Sequence, residues 1–367
     1  MSKLNSQELQ YWVAFNQLSE FGPKRFSKLL SYFPSLETAW ASANEELIKA
    51  GIEEKIAEKL AAKKSEIDPG KELQKADKLG LNIVTIKDEN YPAKLKEISN
   101  PPPLLYCRGE IFKPQDEFAL AVVGTRKITP YGEQVTQDIV RELTQNGLCI
   151  VSGLALGIDS MAHKACIETQ GRTLAVLGNG LDSIYPASNL PLARRILDTG
   201  GLIVSEFPLG TPSFKSNFPH RNRIISGLSL GTLVIEAAAS SGSLITAGLA
   251  LDQNREIFAV PGSINSSASK GPNKLIKQGA IPVTSAQDIL QALNLEQAKN
   301  FNKVREILTD SAEEETIIKL LDITNMTIDE IIKKSQLDAK TINSILVGME
   351  LKGQVRKIGG FTYSLAR

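Results

Sequence analysis

The sequence predicts an α/β fold: an extended Rossmann-like parallel sheet with an N-terminal small helical domain and a C-terminal winged helix. Three patterns carry that expectation. Across residues 116–294 short apolar runs alternate with helical patterns, as they do when a parallel sheet is buried between helical layers. Across residues 1–66 apolar residues recur at helical spacing. Residues 311–367 read as three helices followed by a two-stranded hairpin. The chain of 367 residues has room for two or three domains of roughly 100–200 residues each. The organisation expected is a helical domain over 1–66, a sheet domain with its N-terminal extension over 67–294, a linker over 295–310 and the winged helix over 311–367.

In the helical domain, LQYWVAFNQL and KRFSKLLSYF are separated by Phe21-Gly22-Pro23-Lys24. Gly followed by Pro marks a helix entry. The stretch F-G-P-K-R-F-S-K-L-L resembles a helix-hairpin-helix, whose turn offers backbone N–H groups to a phosphate. It reads equally as part of a small bundle used for packing. Residues 67–115 read as a connector, in which LNIVTI is a short strand, Pro101-Pro102-Pro103 stops regular structure, and LLYCRG resumes a strand.

In the sheet domain the strand runs are Phe118–Val123, Leu148–Ser152, Thr173–Leu177, Leu202–Ser205, Thr232–Ile235, Glu256–Val260 and the weaker Ala280–Val283. Helical patterns occupy 130–146, 158–170, 188–199, 221–228, 243–253 and 271–278. In such a sheet ligands bind outside the C-terminal strand ends. At the C-terminus, TIIKLLD, TIDEIIKKS and LDAKTINSILVGMELKG are the three helices, with Asp338 an early cap and Gly353 a stop for the last. QVRKIGGFTYSLAR is the hairpin, turning at Gly359-Gly360.

Lys and Arg together number 42 against 41 Asp and Glu, so no bulk electrostatic pull on nucleic acid exists and such a partner would need a local patch. Cys107, Cys149 and Cys166 show no CxxC spacing, which suggests neither a disulfide framework nor a zinc site and fits a reducing compartment. The N-terminus has no apolar signal core, and no apolar run reaches the roughly 18 residues of a membrane span. A cytoplasmic protein without a membrane partner is expected.

The strand-end turns hold the chemistry. Val123-Gly124-Thr125-Arg126 ends the first strand of the sheet domain, where Gly124 permits close approach, the Thr125 hydroxyl and nearby amides can hold a phosphate, and Arg126 can grip it. The same residues describe a tight turn with an exposed arginine. After the next strand, Gly153 and Gly157 flank a strand–helix turn suited to an anion, with Asp159 as a helix cap and His163 lacking a triad partner. Gly178-Asn179-Gly180 is half a dinucleotide fingerprint without its third glycine, so no nicotinamide cofactor is expected. The densest cluster, residues 215–223, offers Lys215, Asn217, Phe218, Arg221, Asn222 and Arg223: cations for phosphates, amides for polar edges, an aromatic for stacking. Ser243 and Thr246 lie at a helix start, where free N–H groups gather. Glu236 at a strand end is the one carboxylate to consider for catalysis.

Taken in order, VVGTR, SGLALGID…AH, LGNGLD-IYP, SEFPLGTPSFKSNFPHRNRIISGLS, VIEAAASSGSLITA and AVPG resemble the DNA-processing protein A (DprA/Smf) family over roughly residues 80–290. The resemblance implies a non-enzymatic, single-stranded-DNA-binding recombination mediator. Such a protein protects incoming DNA in natural transformation and loads a RecA-type recombinase, acting as a homodimer through the Rossmann-like domain. The family's G-[ST]-R turn falls on Gly124, Thr125 and Arg126, its K-x-x-F element on Lys215 and Phe218, and its F-P-x-R-N-R element on Phe218 to Arg223. With Gly153, Asn217 and Ser243 these complete the expected single-strand contacts. No P-loop is present, so ATP use would belong to the partner. Two alternatives stand beside it. One is a nucleoside-monophosphate phosphoribohydrolase-like enzyme, whose P-G-G-x-G-T-x-x-E signature here lacks Pro-Gly-Gly and has Glu236 one residue late. The other is a duplex-DNA-binding regulator, for which residues 321–367, with seven Lys/Arg against five Asp/Glu, are weakly basic.

Overall fold

The computed structural model describes residues 5–295, 312–323, 326–335, 337–351, 355–359 and 362–365. Gly353, Gly360 and, beyond residue 295, the stretch read as a linker lie outside the described residues. The chain divides into two compact units after Leu293.

The first unit is built on a nine-stranded sheet. Its strands are β1 (Asn82–Thr85), β2 (Leu104–Gly109), β3 (Ala119–Val123), β4 (Cys149–Ser152), β5 (Thr173–Val176), β6 (Leu202–Ser205), β7 (Gly231–Val234), β8 (Glu256–Ala259) and β9 (Ile281–Pro282). They lie in the order β1-β2-β6-β5-β4-β3-β7-β8-β9. From β6 across to β9 all neighbours pair parallel, whereas β2 pairs antiparallel with β6 and β1 antiparallel with β2. Each central strand is buried on both faces, which is why it reads as an uninterrupted apolar run. Alternate residues feed two cores. Leu104, Tyr106, Ala175 and Ile203 join one, while Leu105, Cys107, Leu174, Val176, Leu202 and Val204 join the other.

The first core is closed by the N-terminal helices α1 (Ser6–Asn16), α2 (Pro23–Tyr32), α3 (Leu36–Ala41), α4 (Asn44–Lys49), α5 (Glu54–Lys64) and α6 (Pro69–Lys78). Helix α6 lies in the stretch read as a connector. Asp68 caps it by accepting from the Lys71 amide, Pro69 occupies its first turn, and it packs on α1. A short helix α7 (Ala93–Lys96) follows β1. Helices α8 (Pro130–Gln145), α9 (Ile158–Glu168) and α10 (Leu190–Asp198) link β3 to β6, while α11 (Asn217–Gly227) and α12 (Gly242–Asp252) pack on each other. The sheet ends with α13 (Lys270–Lys277) and α14 (Ala286–Ala292). Helix α11 begins at Asn217, four residues before the pattern read from the sequence, because Pro219 is tolerated in a first turn.

The second unit holds α15 (Ala312–Ile323), β10 (Met326–Thr327), α16 (Ile328–Ser335), α17 (Ala339–Leu351), β11 (Val355–Gly359) and β12 (Thr362–Leu365). The expected hairpin β11–β12 gains β10 as a third strand, with Met326 opposite Tyr363. Asp338 accepts from the Lys340 and Thr341 amides at the start of α17, as a cap does. The fold is thus mixed α/β with N-terminal helices, a large, mostly parallel sheet and a C-terminal winged helix. No helix among the described residues is long and apolar enough to cross a membrane.

Candidate functional site

From β3 the chain lays β4, β5 and β6 to one side, then returns to place β7 on the other side of β3. This reversal opens a crevice at the C-terminal ends of β3 and β7. A cleft of about 300 Å³ lies there, lined by Gly124, Thr125 and Arg126 after β3, by Phe218, Arg221 and Asn222 on α11, and by Ser243 and Thr246 on α12.

The β3 turn is held by the end of β7. The Thr125 amide donates to the Glu236 carbonyl at 2.7 Å, and the Ile158 amide donates to the Thr125 carbonyl at 3.1 Å. A Cβ on Gly124 would sit 2.5 Å from Ile158 and 2.9 Å from the Glu236 carbonyl, so a side chain cannot be added without opening the turn. The Glu236 carboxylate is buried. It accepts from the Thr129 amide at 3.1 Å and the Thr129 hydroxyl at 2.5 Å, while Thr129 itself caps α8. Glu236 is therefore a brace of the turn and of a helix N-terminus, not a carboxylate turned to a substrate.

The β4 turn is stapled in the same way. Asp159 Oδ2 accepts from the Gly153 amide at 3.1 Å and the Ala155 amide at 3.4 Å. The expected helix cap is thus a loop staple, since Gly157 holds the cap position of α9. Burial raises the Asp159 pKa, opposed by the pull of Arg221.

Arg221 departs from the expectation of a phosphate grip reaching outward. Its side chain is 4% exposed and donates to the Gly153 carbonyl at 2.9 Å and to the Val176 carbonyl. Burial lowers its pKa to about 10, which leaves it charged at neutral pH. Gly153 exists for this contact: a Cβ there would lie 2.5 Å from an Arg221 guanidinium nitrogen. The guanidinium carbon lies 6.0 Å from the centre of the Phe218 ring, and that of exposed Arg126 lies 5.4 Å from it. Arg223 departs further. It is buried and bonded to Glu206 at 2.5 Å, which also holds His220 Nδ1 at 3.0 Å, so it is engaged in an internal ion pair and not presented at the surface. Asn217 spends its amide donors on the Gly178 and Pro212 carbonyls, at 3.0 and 3.2 Å, and pins the start of α11 rather than reading a base.

The two remaining candidates are placed differently. Lys215 is exposed just before α11 and makes no ion pair among the described residues. Ser243 faces the cleft at the start of α12, its hydroxyl 2.7 Å from that of Ser241. The Ser243 and Leu244 amides donate to the Ser241 hydroxyl and carbonyl, and the positive end of the helix dipole favours an anion. Gly124, Thr125, Arg126, Phe218, Arg221, Asn222 and Ser243 thus line one cleft. Gly153 lines an adjoining hollow, and Lys215, Asn217 and Arg223 line neither.

Gly178 makes room for Phe218, whose ring would lie 3.1 Å from a Cβ there, and Gly180 faces the Pro208 carbonyl. The half fingerprint therefore serves loop packing. His163 is fully buried beside the Thr173 hydroxyl at 2.7 Å, and burial lowers its pKa to about 3. No group of potential metal ligands occurs among the described residues. Sequence reasoning missed Tyr185, exposed in the loop after β5 with its ring 5.6 Å from that of Phe218. Its signal was an aromatic within the LGNGLD-IYP turn motif.

Residues 82–294 match the family described as DNA recombination-mediator protein A, and residues 303–360 match the DprA winged helix domain. The DNA processing protein DprA of Bacillus subtilis is 41% identical over 278 residues, 73% of this chain and 93% of that protein. The structure of DNA processing protein A from Streptococcus pneumoniae aligns with a TM-score of 0.66 at 35% identity, covering 79% of this chain and 98% of that one. The structure of the Helicobacter pylori protein, described for its single-stranded DNA binding mode, aligns with a TM-score of 0.52 at 32% identity, covering 59% of this chain and 97% of that one. The chain belongs to the DNA recombination-mediator protein A family.

Proposed function

We propose that this protein binds single-stranded DNA at the cleft between β3 and β7, by electrostatics and stacking, without making or breaking a covalent bond. In this reading it is a cytoplasmic homodimer joined through the sheet domain that shields incoming DNA in natural transformation and loads a RecA-type recombinase. The observation that carries the binding step is the Phe218 ring beside two guanidinium groups, at 5.4 and 6.0 Å, on the rim of a cleft whose far wall is the amide end of α12. Cations and helix amides suit phosphates, and an aromatic face suits any base, so the combination fits a strand without sequence preference. The described binding mode of the H. pylori relative supports the same ligand.

The competing readings are less well supported. The engaged Glu236 carboxylate speaks against nucleotide hydrolysis. The exposed face of α17, with Lys340, Asn343, Ser344, Val347 and Glu350, carries one cation and one anion and speaks against a strong duplex reader.

Fluorescence anisotropy with labelled oligo-dT and a matched duplex tests the proposal. Preference for the single strand is expected, with Phe218→Ala weakening it about 5- to 150-fold, the equivalent of one lost base stack. Equal binding of both DNAs, or a Phe218→Ala variant that binds like the parent, overturns it.

A further inference from the structure

Phe218 and Arg126 stand between two recesses. On one side is the 300 Å³ cleft, and on the other a hollow of about 40 Å³ bordered by Gly153, Leu156, Tyr185 and Arg221. The smaller hollow has a small fraction of the cleft's volume and offers a base far less room. Its rim is another matter. Tyr185 is 42% exposed and Leu156 46% exposed, an uncovered aromatic and an uncovered aliphatic side chain beside two guanidinium groups. The Tyr185 ring lies 5.6 Å from the Phe218 ring and is tilted 36° to it, so it continues the aromatic surface.

The loop that presents Tyr185 is fixed at both ends by buried amides. Asn179 donates to the Gly180 and Ser183 carbonyls, both at 2.9 Å, and Asn189 donates to the Leu154 carbonyl at 2.8 Å. Both asparagines are at least 92% buried. Asp182 adds a bond from the Gly210 amide at 2.8 Å, joining this loop to the one that leads into α11. An exposed ring on a loop braced in this way loses little freedom when a flat ligand stacks on it.

We propose that Tyr185 is a second stacking platform, so that two successive bases of one strand lie on either side of the Phe218–Arg126 pair. The proposal rests on the single-strand reading of the cleft and adds a second base position to it. The large cleft admits one base beside Phe218. The next base, for which the small hollow offers little room, lies flat on Tyr185, and Arg126 between them meets the intervening phosphate.

The test uses the full chain and short oligo-dT in three variants. Tyr185→Ala is expected to weaken binding about 5- to 150-fold, while Tyr185→Phe retains parental affinity because stacking needs the ring and not the hydroxyl. Tyr185→Trp supplies a readout that a packing role would not move. Its indole emission should be strongly quenched as oligo-dT is added, whereas parental emission, from buried Trp12 and from Trp40 in the N-terminal helices, should change little. If Tyr185→Ala binds like the parent while Phe218→Ala is weakened, the second platform is wrong and the single-strand reading stands. If oligo-dT binds Tyr185→Trp without quenching, the platform is also wrong. If neither alanine variant loses affinity, both readings fall.

Discussion

Gly153→Ala isolates the contact on which the cleft is assembled. The backbone at Gly153 is not in the left-handed region, so alanine is allowed there, and without a clash it would stabilise the fold by about 0.4–1 kcal/mol. The clash reverses that sign. The new methyl would stand 2.5 Å from Arg221 Nη2 and 2.8 Å from its Cζ and Nη1, against roughly 3.4 Å or more for ordinary contact. The guanidinium must shift by about an ångström, which breaks its hydrogen bonds to the Gly153 and Val176 carbonyls. Hydrogen bonds from a charged donor are worth about 1.5–3 kcal/mol each, so the expected loss is about 3–5 kcal/mol. At roughly 2–3 °C per kcal/mol for a unit of this size, that is a fall in Tm of about 6–15 °C. Urea unfolding and calorimetry measure it, with oligo-dT anisotropy below the transition. Affinity should fall with stability, because the buried cation beside Phe218 is displaced. An alanine variant as stable as the parent, or more stable, with unchanged affinity would refute this account of Arg221.

Three further outcomes follow from the same geometry. His163 is held neutral by burial, with its pKa lowered from 6.5 to about 3, so the folded state resists a proton that the unfolded chain accepts. Its contribution is complete above pH 6.5 and is lost at about 1.4 kcal/mol per pH unit as pH falls from there toward 3, or about 2 kcal/mol by pH 5. The His163→Phe variant should show a correspondingly shallower loss in urea midpoints between pH 7.5 and 5, and an equal slope in both proteins contradicts the burial argument. Arg223→Met should cost up to about 3–5 kcal/mol by leaving the buried Glu206 carboxylate with half-exposed His220 as its remaining side-chain partner, recover part of that when combined with Glu206→Gln, and leave the affinity of the folded fraction for oligo-dT unaltered. Glu236→Gln should lower stability by about 1–2 kcal/mol through the weakened Thr129 cap, and neither it nor the parent should release free base from nucleoside monophosphates, an activity whose appearance would restore the enzyme reading.

Much of the sheet was legible because burial on both faces leaves no choice but an apolar run, as in Ala119–Val123 and Leu202–Ser205. Helix α6 escaped because PGKELQKADK buries little beyond Ala76, although Asp68-Pro69 carried its start signal. The glycine turns were legible for a similar reason: a strand end that must touch another backbone, as Gly124 touches Glu236, admits no side chain. What the sequence could not reveal is which cation of a cluster is free. Arg221 and Arg223 stand two apart on α11 and therefore point in different directions. One meets carbonyls at residues 153 and 176, the other a carboxylate at 206. Those partners are fixed by the sheet order and not by local pattern. The same holds for Tyr185, brought to Phe218 from a different loop.

The central claim is that phosphates are neutralised by exposed cations, Arg126 beside Phe218 and Lys215 just before α11. The salt dependence of oligo-dT affinity tests it most directly, measured for the parent and for Arg126→Ala, Lys215→Ala and Arg223→Met. Each lost phosphate contact on a single strand reduces the slope of log K against log salt by about 0.7. The account predicts that reduction for Arg126→Ala and for Lys215→Ala, and a parental slope for Arg223→Met. Parental slopes in both alanine variants would contradict it, and so would a reduced slope in Arg223→Met.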